Sequence, residues 1–514
     1  MQPWLNEAII YEIYPVSFYD SNGDGIGDFN GITQKIPYLK DLGINTVWLN
    51  PFYKSPFRDG GYDVSDYYAV DPMFGTMEDC ENMFKAFHEA GIRVIVDLVV
   101  GHTSDKHPWF LQSKKGKPHP KYKDWYIWTP SCFTSAPRAM SGMSKRNGNY
   151  LINYYAFQPA LNYGYNKIEK GKEAWQWHYT DERLKPLRDE IKNIIRYWLG
   201  KGVDGFRVDL AQSLVKADPD QEGVKWFWNI VIGETKKSYP DCCFLAEWGD
   251  PIKAVECGFD LDYLCHATDG YNQIFRSEKG SNLGDYWERA EHSYFSKDGL
   301  GSFQGFLDYV NEFYQKTNGN GAFSLPSGYH DMIRIAHQKD TGVLKCIFAF
   351  LLTFKGIPQI YYGDEIGIRH NFQVNKDGGY VRTGARTPMQ WDNTPHRGFT
   401  KAKRAYLPTE RAKNRSVESQ LADENSLLNT VKRLIKLHAD YPQFAFDAGL
   451  KMLNSGYPLE YIRECGGEKI FVCINCTERE YTASKKVKEI LLSENADVVG
   501  GGVRVKKGFV IAKI

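Results

Sequence analysis

GFRVDLAQS (residues 205–213) and FLAEWGD (244–250) are the stretches on which the reading of this chain turns. Each starts as a short β-type run and carries charged residues within it. Six further runs share that β-type character. The full series is AIIYEIYP (8–15), TVWLNP (46–51), RVIVDLVV (93–100), GFRVDL (205–210), CFLAEW (243–248), LDYLCH (261–266), FSLPSGYH (323–330) and PQIYYGDE (358–365). Most are near-continuous apolar runs, as expected of strands covered on both faces. Amphipathic segments lie between them: ITQKIPYLKDLG (32–43), MEDCENMFKAFHEAG (77–91) and LRDEIKNIIRYWLGKG (187–202). Each closes on a Gly, the residue that best accepts a helix C-cap. Eight strands alternating with helices predict an α/β fold, a (β/α)8 TIM barrel. A doubly wound open sheet is the alternative, but no GxGxxG follows an early strand.

The spacing between runs is uneven. Residues 102–175, rich in Lys, Pro, Tyr, Trp and Ser, separate the third run from the fourth and predict an inserted domain. Residues 1–101 and 176–445 then form the barrel, with a second insertion at about 368–424. Insertions that follow strands sit at the C-terminal face of a barrel, where active sites are built. The last part, 446–514, holds alternating pieces such as KIFVCIN and GGVRVKKGFVIAKI and predicts a C-terminal β-sandwich domain.

Composition narrows the function. Among 514 residues, 64 Lys and Arg balance 63 Asp and Glu, for a formal net charge of +1. Nothing in that balance directs the chain to nucleic acid or to an anionic membrane. The longest apolar run, Cys346 to Phe354, is bounded by Lys345 and Lys355. It is far short of the roughly 20 residues a bilayer span needs. The first residues, MQPWLNEAIIYEIYP, carry no basic region ahead of an apolar one. The ten Cys show no framework spacing; Cys473 and Cys476 form a CxxC without a second pair. Reduced thiols in a cytoplasmic protein are expected. Aromatic residues make up 15% of the chain, which suits either sugar stacking or a large core.

Several residues carry candidate chemistry. On a strand, Arg207 and Asp209 share one face. An adjacent Arg favours the ionised carboxylate that a nucleophile needs. A structural ion pair at a strand end is the alternative. Glu247 ends the next run among apolar neighbours, which would raise its pKa as a general acid requires. On adjacent strands the two would meet at one rim, and a separation of about 5–5.5 Å defines a retaining glycosidase. Asp331 and His330 follow the seventh run, and His102 the third; they are candidates to bind sugar hydroxyls. In DSNGDGIGD (20–28), Asp20, Asn22, Asp24 and Asp28 supply hard oxygen ligands, with Ile26 a further ligand position. Ca²⁺, or Mg²⁺ in its place, is the expected ion. An Asx-rich turn is the alternative.

Together these residues resemble the α-amylase family, glycoside hydrolase family 13. DLVVGHTSDKH (97–107), GFRVDLAQS, FLAEWGD and YHDMIR (329–334) are similar to its four principal motifs, in order. GYDVSDY (61–67) supports the family likeness, and QPALN (158–162), RTPMQWD (386–392) and the 20–28 loop look most like the oligo-1,6-glucosidase and α-glucosidase group. The resemblance implies Asp209 as nucleophile, Glu247 as acid/base and Asp331 as transition-state stabiliser. It implies Tyr62, His102, Arg207 and His330 as partners of the first sugar, with Asp63 supporting. It also implies Asp59 and Arg386 as a pair closing the pocket, hence exo-action on short oligosaccharides by double displacement. One structural Ca²⁺ in the 20–28 loop is implied too. Four positions depart from the family pattern: Gly101, Ala160, Tyr329, and Leu210 after the nucleophile. Linkage preference is therefore left open. Related sucrose- or trehalose-type glycosidases, trehalose-6-phosphate hydrolase, glucosyltransferases and non-catalytic relatives remain alternatives. A monomer acting on a small oligosaccharide, without membrane or nucleic acid, is the expectation.

Overall fold

The computed structural model describes residues 1–265, 270–277, 292–410, 412, 414–499 and 502–514. Each of the eight runs contributes one strand. These are β1 (Ile10–Ile13), β2 (Thr46–Leu49), β3 (Arg93–Leu98), β4 (Gly205–Val208), β5 (Cys243–Ala246), β6 (Leu261–Tyr263), β7 (Ala322–Pro326) and β8 (Ile357–Tyr361). The run LDYLCH extends to His266, which lies outside the described residues. The strands are parallel and follow one another in chain order around a closed barrel. β1 pairs with both β2 and β8, so the sheet has no free edge. Nearly every strand residue is buried, which explains the runs' continuous apolar character. Register sets Arg207 beside Asp97 on one side and Leu245 on the other.

The helices start and stop for local reasons. Met77–Glu89 is opened by a reciprocal cap between Thr76 and Asp79 and buries Cys80, Met83, Phe84 and Phe87. Lys185–Gly200 buries Leu187, Ile191, Ile194, Ile195 and Trp198 along one stripe. The segment expected as one helix over 32–43 is instead two, Phe29–Gln34 and Ile36–Leu42, broken at Lys35. Pro37 has no N–H to give and suits only the first turn of a new helix. Gly43 closes the second piece in the left-handed region at φ 93°.

Beyond the barrel, the six C-terminal strands among the described residues belong to one branched antiparallel sheet. They are β9 (Gly449–Asn454), β10 (Leu459–Cys465), β11 (Glu468–Asn475), β12 (Tyr481–Thr482), β13 (Glu489–Val499) and β14 (Gly502–Lys513). Alternation divides its two faces. Ile470, Val472 and Ile474 join the main core, while Phe471 and Cys473 join a separate cluster with Val503, Val505 and Val510. The apolar run at 346–354 becomes the helix Thr341–Thr353, buried from Val343 onward between barrel and sheet. Among the described residues, no helix is long and apolar enough to cross a membrane.

Arg463 ties the sheet to the barrel. It is fully buried and donates to three carbonyls: Thr353 at 2.9 Å, Ala445 at 2.6 Å and Gly449 at 3.2 Å. Burial lowers its pKa to about 10, so it stays charged at neutral pH. Arg463→Met keeps the stem but strands two buried acceptors, Thr353 O and Ala445 O, each costing about 1–3 kcal/mol at most. Urea unfolding is expected to show a loss of about 2–4 kcal/mol, with turnover by the folded protein unchanged.

Candidate active site

The two principal carboxyls lie where the sequence places them, just past the ends of neighbouring strands. Asp209 follows β4 and Glu247 follows β5, and the Glu247 N–H donates to Val208 O at 3.0 Å. Between them the chain turns sharply. Leu210 sits at φ 43°, a strained setting for a branched side chain. The turn aims the Leu210 N–H at Glu247 Oε2, 2.9 Å away.

Arg207 organises the floor. It points into the barrel, fully buried, and its Nη1 contacts Asp209 Oδ1 at 3.1 Å and Asp97 Oδ1 at 2.5 Å. Its Nη2 reaches Glu247 Oε2 at 2.8 Å and the Tyr263 hydroxyl at 2.9 Å. The guanidinium also lies 5.1 Å from the Trp48 ring centre. Burial alone would lower the Arg207 pKa, but Asp97 and Glu247 outweigh it and the group stays charged. Asp97 is raised to about 6 by burial, against the pull of Arg207. Arg207 by itself would keep Asp209 ionised. Burial and the neighbouring Glu247 charge work the other way and push the Asp209 pKa well up.

A cavity of about 190 Å³ opens above this floor. Asp209, Leu210, Glu247 and Asp331 line it, together with Tyr62 and His102. Gln158, Tyr154, Asp59 and Arg382 complete the lining among the described residues. Asp63 accepts from the backbone N–H of Asp59 at 3.1 Å and from the Ser55 hydroxyl at 3.0 Å, which fixes the turn presenting Asp59. His102 Nε2 is 3.0 Å from Tyr62 O, and burial lowers its pKa to about 4, so the ring is neutral. The Tyr62 ring stacks on His330 at 5.0 Å and 13°.

One expected pair is corrected. Asp59 and Arg386 do not face each other across the cavity. Arg386 is buried behind it, bonding Asp331 Oδ1 at 2.5 Å and His330 O at 3.1 Å. The guanidinium that lines the cavity belongs to Arg382. It stands 3.6 Å from Asp59 Oδ1 and 2.8 Å from Asp331 Oδ2. Gln158 Nε2 holds the other Asp59 oxygen at 2.6 Å. Burial lifts the Asp59 pKa to about 7, against both arginines. Arg382 and Arg386 are one helical turn apart in sequence, and only the conformation of Tyr380–Ala385 decides which one faces inward. Glu12, Trp48, Asn50, Asp97 and Tyr263 form a second polar layer that single-sequence reading does not single out. They sit mid-strand or at strand ends, where a lone polar residue has no pattern of its own.

The departures from the family pattern have local explanations. Tyr329 is buried and packs edge-on against Tyr263 at 5.2 Å and His330 at 5.6 Å, away from the cavity lining. At Gly101 a Cβ would meet Asn153 Nδ2 at 2.8 Å. That amide instead reaches His102 Nδ1 at 3.3 Å. Ala160 is buried in a bridge opposite His102.

The 20–28 loop lies outside the cavity lining. Asp20 accepts from the N–H groups of Asn22, Gly23 and Gly25, and Asp28 from those of Ser21 and Gly31. Asn22 and Asp24 each accept from the N–H two residues on. The Asx turns expected as the alternative are thus present. Among the described residues no group of three or more His, Cys, Asp or Glu side chains forms a metal cage. The donor set, side-chain oxygens plus the Ile26 carbonyl, still suits a hard cation in kind.

Residues 12–446 match the family model for the α-amylase catalytic domain. The chain therefore belongs to the α-amylase family and is a glycoside hydrolase. It is 31% identical to an oligo-1,6-glucosidase of Parageobacillus thermoglucosidasius, over 96% of this chain and 95% of that one. It is also 31% identical to alpha-amylase 3 of Dictyoglomus thermophilum, covering 96% of this chain and 90% of the relative. Among solved structures it resembles an isomaltulose synthase variant from Erwinia rhapontici NX5 in complex with sucrose. That likeness has a TM-score of 0.80 at 25% identity, over 100% of this chain and 99% of the other.

Arg207→Met removes a cation shared by Asp97, Asp209 and Glu247. Turnover of an aryl α-glucoside is expected to fall about 10²–10³-fold or more. Chemical denaturation is expected to show a loss on the order of 3–5 kcal/mol, from uncompensated buried carboxylates.

Proposed function

We propose that this glycoside hydrolase is a retaining, exo-acting α-glucosidase that removes terminal α-linked glucose from short oligosaccharides, in the manner of an oligo-1,6-glucosidase. The observation that carries the reading is the small cavity in which Arg382 stands between Asp59 and Asp331. At about 190 Å³ it falls below the roughly 300–1,000 Å³ of ordinary ligand pockets and suits one sugar ring rather than a long glucan. A carboxylate and a planar donor fork at one end would take the hydroxyls of a non-reducing glucose. Tyr62 offers a ring face, and the neutral His102 lines the same space.

The chemistry follows from the pair on Arg207. Asp209 Oδ1 is held by the guanidinium, which leaves Oδ2 to bond the anomeric carbon. Glu247 Oε2 accepts from the Leu210 N–H and pairs with Arg207 Nη2, which leaves Oε1 to carry the proton. As the Asp209 bond forms, the glycosidic bond breaks and Glu247 protonates the departing oxygen. Water then gives a proton to Glu247 and attacks the anomeric carbon, freeing Asp209 and restoring the original configuration. Asp331, fixed by Arg382 and Arg386, is a negative charge beside the developing oxocarbenium ion. Leu210 lines the cavity next to the nucleophile and is the position where linkage preference would be set. In the same reading, the side chains of Asp20, Asn22, Asp24 and Asp28 with the Ile26 carbonyl would hold one structural Ca²⁺ or Mg²⁺.

Asp209→Asn is expected to abolish hydrolysis of an aryl α-glucoside, and NMR of the native reaction to show the α-anomer released first. Near-normal turnover by the variant, or a β-anomer first, would overturn the mechanism. On isomaltotriose or maltotriose, Arg382→Ala is expected to lower kcat/KM by about 10²-fold while glucose is the product of the native enzyme. Internal fragments from starch would instead indicate endo-action. Metal analysis of washed protein is expected to find one divalent ion. Asp24→Ala should lower the thermal midpoint and leave turnover nearly unchanged.

A further inference from the structure

Beneath the sugar site lies a buried carboxyl that the chemistry above does not use. Glu12, on β1, is fully enclosed within the barrel. Its Oε1 accepts from Asn50 Nδ2 at 3.1 Å and from the His330 backbone N–H at 3.3 Å, and it stands 2.8 Å from His330 Nδ1, where either group could donate. Asn50 Nδ2 is also 3.1 Å from His330 Nδ1. Glu12 Oε2 is buried without a partner among the described residues. The imidazole itself is held flat against Tyr62 and edge-on to Trp48, with Nε2 3.7 Å from Asp331 Oδ1.

Counting protons fixes the arrangement. Burial holds the His330 pKa well below its ordinary value, so the ring is neutral and carries one N–H. Burial works against ionised Asp331, yet Arg382 and Arg386 keep its pKa well below the usual range. A bare ring nitrogen turned toward that carboxylate would be repelled, so the hydrogen belongs on Nε2. Nδ1 is then an acceptor and needs donors. Asn50 Nδ2 is one, and Glu12 Oε1, the nearer, is the other only if it is protonated. Burial pushes the Glu12 pKa well up, against Asn50 and Arg207. A neutral carboxyl also tolerates a bare, buried Oε2 far better than a carboxylate does.

We infer that Glu12 is a positioning residue that keeps a proton on Oε1 and donates it to His330 Nδ1, so that Nε2–H is presented toward Asp331 and the sugar. A buried acid kept neutral to serve as a hydrogen-bond donor has precedent in enzyme active sites. The inference rests on the proposed glucosidase reading only for its kinetic consequences, since the tautomer is a property of the protein without substrate.

The test uses the full chain with ¹⁵N-labelled histidine. Long-range ¹H–¹⁵N spectra at neutral pH, without sugar, are assigned by difference against His330→Asn. The native protein is expected to show His330 as the Nε2–H tautomer. Glu12→Gln, whose amide can donate in the same place, should keep that tautomer. Glu12→Leu should lose it. With 4-nitrophenyl α-glucoside, E12Q is expected to retain kcat within about threefold. E12L should lower kcat about tenfold or more with a smaller change in KM. An Nδ1–H ring in the native protein would overturn the inference, as would equal losses in E12Q and E12L. If E12L does not fold, the native and E12Q spectra still decide. A native enzyme that leaves the aryl glucoside uncut, yet shows the Nε2–H ring, would count against the proposed substrate and not against Glu12.

Discussion

The site depends on one buried cation. Arg207 is enclosed in the barrel and holds three carboxyls, Asp97 below and Asp209 and Glu247 above. Burying a guanidinium is costly unless every charge is compensated, and here the compensation comes from the carboxyls of the candidate site. The same contact fixes which oxygens are occupied. One oxygen of Asp209 and one of Glu247 are tied to the guanidinium, so each carboxyl has a defined free edge. The barrel makes this possible because β3, β4 and β5 are neighbours in register, which sets the residues bearing all three carboxyls around Arg207. An open loop could not hold like charges this close.

A second cationic pair does the complementary work at the other side of the cavity. Arg382 and Arg386 both grip Asp331, but from different depths, and only Arg382 extends to Asp59. Asp331 is thus kept ionised, while burial and the neighbouring Glu247 push the Asp209 pKa up. Two carboxyls of similar intrinsic pKa, Asp209 and Asp331, are pushed apart by burial and by their charged neighbours. Strain at Leu210 belongs to the same design, since its left-handed turn delivers a backbone N–H to Glu247.

Support for the cavity extends far from it. The helix Thr341–Thr353 is apolar on nearly all sides because it lies between barrel and C-terminal sheet. Arg463 then joins carbonyls from that helix and from the segment entering the sheet. The outer face of the sheet builds its own small core, so the alternation in KIFVCIN reflects two different hydrophobic environments.

The order of strands, the closed barrel and the three principal carboxyls were legible in the residues alone. Buried parallel strands leave continuous apolar runs, and active-site charges interrupt those runs at their C-terminal ends, so RVIVDL, GFRVDL and CFLAEW announce both structure and site. The break at Lys35 was missed because Pro37 begins a helix as readily as it ends one. Choosing between Arg382 and Arg386 needed the tertiary structure, because both lie on one insertion four residues apart and no periodic pattern governs irregular backbone. The roles of Glu12, Asn50 and Tyr263 were likewise hidden. Each is a single polar residue near or within an apolar strand, and its meaning comes from partners up to 318 positions away in the chain. Sequence by itself determined which chemistry the protein carries, since local pattern records strand burial and charge type. Only the tertiary structure decided which groups share a proton or a cation, since those contacts form between residues that the chain keeps far apart.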